Sequence, residues 1–225
     1  MVFSKTLQCA ALAVLCAVSA MPSQAANLAV YDNKIPFVAA TSATSATGSF
    51  PNLDVVWSGT TTIGSVTFSG VGGWLFYVGL ANSDWTTLLP GNEIAINGAE
   101  NLDVGFASPV YSAGFEFTEP LWDANSPYVG TTPNDSPFIV TLKLGTTLIS
   151  SFGFNAPDNV ASFVGVWSDT AFDRIEIREV TPAVDDEYFG EFYTGSVAMP
   201  VPEPETYALI LAGLGLVGFV ARRRT

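Results

Sequence analysis

Histidine is absent from this chain of 225 residues. Its absence removes the usual general base at neutral pH, the usual zinc ligand and the usual partner of a nucleophilic serine or cysteine. The two cysteines, Cys9 and Cys16, both lie inside an N-terminal apolar run. Neither fits a lipid-attachment site, which wants Leu three positions before the Cys and a small residue just before it; Cys16 has Ala13 and Leu15 there, and Cys9 has Thr6 and Gln8. With that run removed, disulfides, thiolate catalysis and cysteine metal sites are excluded. Basic residues are scarce as well: 8 Lys and Arg stand against 21 Asp and Glu, for a net charge of -13. Between residues 26 and 199 the only bases are Lys34, Lys143, Arg174 and Arg178, against nineteen acids (the 21 of the chain less Glu203 and Glu205). Such a surface disfavours nucleic acid and anionic membranes, and it suits solubility outside the cell or binding of cations and neutral glycans. Sustained helical periodicity is also lacking between the two termini, where no stretch keeps it over about twelve residues.

The chain opens with Lys5, an apolar run over residues 7–20 and Ser23-Gln24-Ala25. A basic start, an apolar middle and a small-x-small end predict a signal peptide over residues 1–25, cut between Ala25 and Ala26 by signal peptidase. Residues 26–199 then form one domain, long enough to bury a core without staples. The tail begins Val201-Pro202-Glu203-Pro204-Glu205-Thr206. Its prolines fix φ and lack N–H donors, so residues 200–206 read as an extended linker open to a processing enzyme. Residues 207–221 carry no charge. At about 1.5 Å per residue they span roughly 22 Å, short of the ~30 Å hydrocarbon core, which is adequate for a temporary anchor. Arg222, Arg223 and Arg224 act as a stop-transfer signal and stay cytoplasmic, leaving the domain outside. Residues 207–225 are therefore expected to be a transmembrane sorting tail. Gly213-Leu214-Gly215-Leu216-Val217-Gly218 has the letters of a dinucleotide fingerprint. That fingerprint needs a preceding strand and a βαβ unit with an acid downstream, and neither is available here. Glycines that let a small helix pack in lipid explain it better.

The run Val201-Pro202-Glu203-Pro204-Glu205-Thr206, then Tyr207-Ala208-Leu209, then Ala221-Arg222-Arg223-Arg224 closely resembles the PEP-CTERM sorting signal. The family commonly has Ser where Glu205 stands. The resemblance implies sorting and processing near the Pro-Glu-Pro by an exosortase-type membrane enzyme, in a Gram-negative bacterium that makes exopolysaccharide. The same motif is also described as an ice-binding protein C-terminal motif, which is no evidence of ice binding.

Short strands separated by turn signals fill the domain: residues 28–31, 53–58, 61–68, 74–79, 93–97, 102–107 and 110–117 in its first half, and 138–144, 147–155, 161–168, 172–180 and 187–194 in its second. Residues 39–49 read as a flexible loop or edge. Phe115 and Phe117 share a face and Glu116 takes the other; Ile175 and Ile177 point in, while Arg174, Glu176 and Arg178 point out and pair across strands for ~0.2–1 kcal/mol each. This pattern predicts an all-β chain, an antiparallel jelly-roll-like β-sandwich flanked by a cleaved signal peptide and one C-terminal hydrophobic helix. The body also resembles sandwich passenger domains found upstream of PEP-CTERM signals, through Gly114-Phe115-Glu116-Phe117, Phe163-Val164-Gly165-Val166-Trp167-Ser168, Phe172-Asp173-Arg174-Ile175-Glu176-Ile177 and Asp185-Asp186-Glu187-Tyr188-Phe189.

Candidate sites lie in the loops. Asp84 and Trp85, with Trp122, Asp123 and Tyr128, combine aromatic faces with carboxylates, the pairing that stacks on sugar C–H faces and bonds to hydroxyls. Asp185, Asp186 and Glu187 form the densest acidic cluster, a candidate for a structural Ca²⁺ and otherwise a solvated turn. No motif supports catalysis, so a non-enzyme is expected: an exported surface or extracellular-matrix protein with a structural, adhesive or glycan-binding sandwich. Its partners are an exosortase-type enzyme, signal peptidase, the inner membrane through the tail, and exopolysaccharide. The alternatives are a secreted polysaccharide hydrolase or lyase, and a permanently anchored periplasmic protein.

Overall fold

The computed structural model describes residues 26–52, 59–72, 76–79, 89–96, 101–119, 136–180 and 187–198. Among them are eleven strands and one helix. The strands are β1 (Leu28–Tyr31), β2 (Thr44–Ser45), β3 (Thr60–Ile63), β4 (Val66–Gly70), β5 (Phe76–Val78), β6 (Ile94–Ile96), β7 (Leu102–Thr118), β8 (Phe138–Leu144), β9 (Thr147–Phe154), β10 (Ser162–Glu179) and β11 (Tyr188–Gly195); the helix, α1, is Lys34–Thr41.

Every pairing is antiparallel, and the strands join one hydrogen-bonded network that doubles over on itself. The doubling comes from β7 and β10, which pair with each other along most of their length. The second half of β7 and the first half of β10 lie in one layer, with β1 outside β10, and with β11, β6 and β5 following on the other side; β2 meets the far end of β11. The first half of β7 and the second half of β10 lie in the other layer, between β4 and β3 on one side and β8 and β9 on the other. Their register shifts between Trp167 and Phe172 and again before Arg174. Opposite that shift β7 carries exposed Ala107, Ser108 and Pro109. Proline, lacking a donor, is tolerated where ladder pairing is already broken.

Phenylalanine rings fill the space between the layers. Phe117 meets Phe138 and Phe154 at 5.4 and 5.3 Å, Phe115 meets Phe154 at 6.0 Å, and Phe68 meets Phe192 at 5.0 Å. Such pairs contribute about 0.5–1.5 kcal/mol each beyond burial itself. They hold together a domain that has no disulfide.

The outer face of the first layer is covered by α1. Asn33 caps it, its Oδ1 accepting from the Ile35 N–H at 2.9 Å, and Ser42 ends it in the left-handed conformation with its N–H on the Val38 carbonyl at 2.9 Å. A helix of eight residues is marginal by itself. Its hold is Phe37, fully buried over Gly114 and Gly165, which face each other across β7 and β10. A Cβ on Gly165 would stand 2.8 Å from both the Phe37 and Phe163 rings, and one on Gly114 would stand 2.6 Å from Phe163. The two glycines thus form a notch that the aromatic rings occupy.

The all-β antiparallel sandwich expected from the sequence is the architecture found. Its details differ. Residues 61–68 are not one strand: Gly64, at φ +60°, turns the chain between β3 and β4. The pairs of strands expected over 102–107 and 110–117, and over 161–168 and 172–180, are each continuous. Residues 39–49 are not a plain loop, because the end of α1 and β2 lie there. No helix among the described residues is long and apolar enough to cross a membrane. The signal peptide, the strand expected at 53–58 and the C-terminal tail lie outside the described residues.

Candidate functional site

A groove of about 660 Å³ opens on the helix-bearing side of the first layer. Residues 30–34, between β1 and α1, form one bank; residues 154–157 and 160–164, joining β9 to β10, form the other; Leu89, Pro90 and Glu116 complete it.

Glu116 is the buried polar group of this groove. Alternation on β7 puts Phe115 and Phe117 into the core and turns Glu116 outward, where α1 and its flanks cover it. Its Oε1 accepts from the Lys34 ammonium at 2.9 Å. Its Oε2 is buried with no hydrogen-bond partner among the described residues. Gly190 of β11 leaves the room: a Cβ there would stand 2.9 Å from Glu116 Cβ and 3.1 Å from Oε2. Lys34 also donates to the Tyr193 hydroxyl, which in turn donates to Glu191 Oε2. Burial by itself would lower the Lys34 pKa, but its hydrogen bonds to Tyr193 and Glu116, with the Glu116 charge, prevail and hold it above the ordinary lysine value. Burial, with the bond to Glu191, pushes the Tyr193 hydroxyl up to about 12 although the Lys34 bond opposes this. Both groups keep their protons at any physiological pH.

A second buried polar cluster sits at the loop end of the sandwich. The Ser136 N–H donates to Glu119 Oε1 at 2.6 Å and its hydroxyl to Glu179 Oε1 at 3.1 Å. Glu187 is fully buried just before β11, so a solvated turn does not describe it. No group of three or more acidic side chains placed to hold a metal ion occurs among the described residues. Asp185 and Asp186 lie outside those residues, as do Asp84, Trp85, Trp122, Asp123, Tyr128, Ala25, the sorting residues Val201, Pro202, Glu203 and Pro204, and Arg222, Arg223 and Arg224. Ala26 is described and is partly exposed ahead of β1. The groove residues were not singled out as a site from the sequence. The signal was there in part: Lys34 is one of four bases in the domain, and Glu116 is the one acid of the strand expected over residues 110–117.

Residues 200–224 match the family model for the PEP-CTERM protein-sorting motif. The chain carries a PEP-CTERM sorting motif. That motif implies export, membrane-anchored sorting and processing by an exosortase-type enzyme. No curated protein matches the sequence. Among solved structures, similarity is found to a family 29 carbohydrate binding module, CBM29-2, at 12% identity and TM-score 0.35, covering 72% of this chain and 98% of that one. The xylan-binding domain from CBM 22 is similar at 10% identity and TM-score 0.35, covering 67% and 100%. The C-terminal family 22 carbohydrate binding module of Clostridium thermocellum Xyn10B is similar at 11% identity and TM-score 0.36, covering 70% and 98%. At such low scores these likenesses stand beside the fold, which rests on the strand pairing of this chain.

Proposed function

We propose that the chain is a non-enzymatic protein of the cell surface or extracellular matrix of an exopolysaccharide-producing Gram-negative bacterium. It is exported through its signal peptide, held in the inner membrane by residues 207–225, and released by cleavage near Pro202-Glu203-Pro204. The PEP-CTERM motif at residues 200–224 is the observation that carries this reading. The sandwich then serves as a structural, adhesive or glycan-binding unit. The lack of histidine counts against an enzyme, and the glycan part is supported by the surplus of acids over bases and by an outer-face groove that mixes aliphatic, aromatic and hydrogen-bonding side chains. Small-ligand clefts have this make-up, and they run to roughly 300–1,000 Å³. Asp84, Trp85, Trp122, Asp123 and Tyr128 are candidate contacts, and Asp185, Asp186 and Glu187 a candidate Ca²⁺ site.

The test is intact mass and terminal peptides of the released protein, followed by retention on the producer's own exopolysaccharide with Ca²⁺ and with a chelator. The expected form starts at Ala26 and lacks residues 207–225. A mature protein that keeps its tail would instead be permanently anchored. New reducing ends on the polysaccharide, lost on replacing one loop carboxylate, would make the protein a hydrolase or lyase.

A further inference from the structure

We propose that the groove beside α1 is a binding site for a neutral oligosaccharide, with Glu116 as its central hydroxyl acceptor and Lys34 as the residue that positions that carboxylate. This rests on the glycan-binding reading and gives it a place and a ligand class.

Three observations carry it. The first is the orphaned oxygen. A buried carboxylate oxygen without a partner costs on the order of 1–3 kcal/mol, so a fold that keeps one beside an open groove has an acceptor waiting for a donor. Glycine at position 190 gives that oxygen its room. Sugar hydroxyls are donors of the required kind. The second is charge. Lys34 is the only cation in the lining among the described residues, and its ammonium is engaged by Glu116 and Tyr193. Asp32 adds an exposed carboxylate. The lining is therefore net negative, which repels uronates and sulfated or phosphorylated chains. The third is the apolar surface. Val30 and Val160 are exposed on the banks, and Tyr31 is held edge-on against Phe37 at 5.5 Å between ring centres. Such surfaces take the C–H faces of pyranose rings. Asn155 and Ser162 supply further hydrogen-bonding groups.

The experiment is calorimetric titration of the full processed protein with neutral cello-, xylo- and manno-oligosaccharides, an oligogalacturonate and a chitosan oligomer. The unsubstituted protein is expected to bind a neutral oligomer. Glu116→Gln and Tyr31→Ala should each weaken it by about tenfold or more, while Thr62→Ala, exposed on β3 in the other layer and outside the lining, leaves it unchanged. Lys34→Arg should keep more affinity than Lys34→Met, titrated at a temperature where circular dichroism shows both folded, because positioning needs the charge. Asn155→Ala is the control for folding, since that residue is exposed on the bank and should weaken binding without lowering stability. Binding of a neutral oligomer that survives Glu116→Gln, Tyr31→Ala and Asn155→Ala would overturn the groove and leave the glycan-binding reading standing. Tighter binding of the oligogalacturonate or the chitosan oligomer would overturn the ligand class. No binding of any saccharide would overturn both the groove and the reading beneath it.

Discussion

The Glu93 side chain is 1% exposed, and its Oε1 has no hydrogen-bond partner among the described residues. Burial pushes its carboxyl up to about 8 from an ordinary 4.5. In the unfolded chain it ionises near 4.5, so from there upward the folded protein holds a proton that the unfolded chain has lost. Stability therefore declines as pH rises through that interval, and the full penalty is present above the folded value. Glu93→Gln is expected to raise the unfolding free energy at pH 8 by on the order of 2 kcal/mol and to change little at pH 4. Urea melts of both proteins at the two pH values check this; an equal effect at both would remove protonation as the cause. Glu176 has the opposite sign. Burial raises it, but Lys143, Arg178 and Arg174 override this and lower its pKa, so its contribution is present above about pH 4.5 and is lost on acidification. Single residues were legible from the sequence where alternation decided them. The outward Glu116 and the outward trio Arg174, Glu176 and Arg178 were read from period two alone. The partner of Glu116 was not, because Lys34 lies 82 positions away and no local pattern joins them.

At the level of elements, α1 depends on a single ring seated over two facing glycines. Gly165→Ala brings a methyl group against two buried rings, an overpacking that costs about 1–3 kcal/mol. In a Phe37→Ala background one of those rings is gone, so the same change should cost less. A double-mutant cycle by thermal melting is expected to give a coupling of about 0.5–3 kcal/mol. Additivity would show that the notch and the ring do not act on each other. Sequence reading found β1 and β8 with their bounds and the Gly145-Thr146 turn that leads into β9, because local alternation and a turn glycine settle them. It divided β7 and β10, because Pro109 and the polar run at Ser168–Thr170 look like breaks; they mark a bend that strands pass through. It missed α1, which has too few residues to show a period and owes its stability to tertiary contact. On the outer face of β10 like charges stand opposite one another, Arg174 across from Lys143 and Glu176 across from Asp103. Diagonal ion pairs relieve this: Lys143 reaches Glu176 at 2.7 Å and Arg178 reaches Asp103.

For the molecule as a whole, the charge of -13 dominates electrostatics beyond contact range. Four bases between residues 26 and 199 leave most acids unpaired, so mutual repulsion outweighs the few surface ion pairs, each worth about 0–1 kcal/mol. Raising NaCl from about 10 to about 200 mM at neutral pH shortens the screening length below roughly 10 Å and should raise the melting temperature. A fall instead would mean that the Glu176 network carries more of the stability than the repulsion removes. The topology also sets a mechanical behaviour. The chain leaves the sandwich at Gly195, level with Ser112 beside the bend, whereas the groove lies toward the opposite end, where Ser162 pairs with Phe117. Tension between a ligand in the groove and whatever holds the C-terminal side runs lengthwise along β11. Its ladder to β7 then resists in shear, with many hydrogen bonds loaded together, and the strand cannot be unzipped one bond after another from its trailing end.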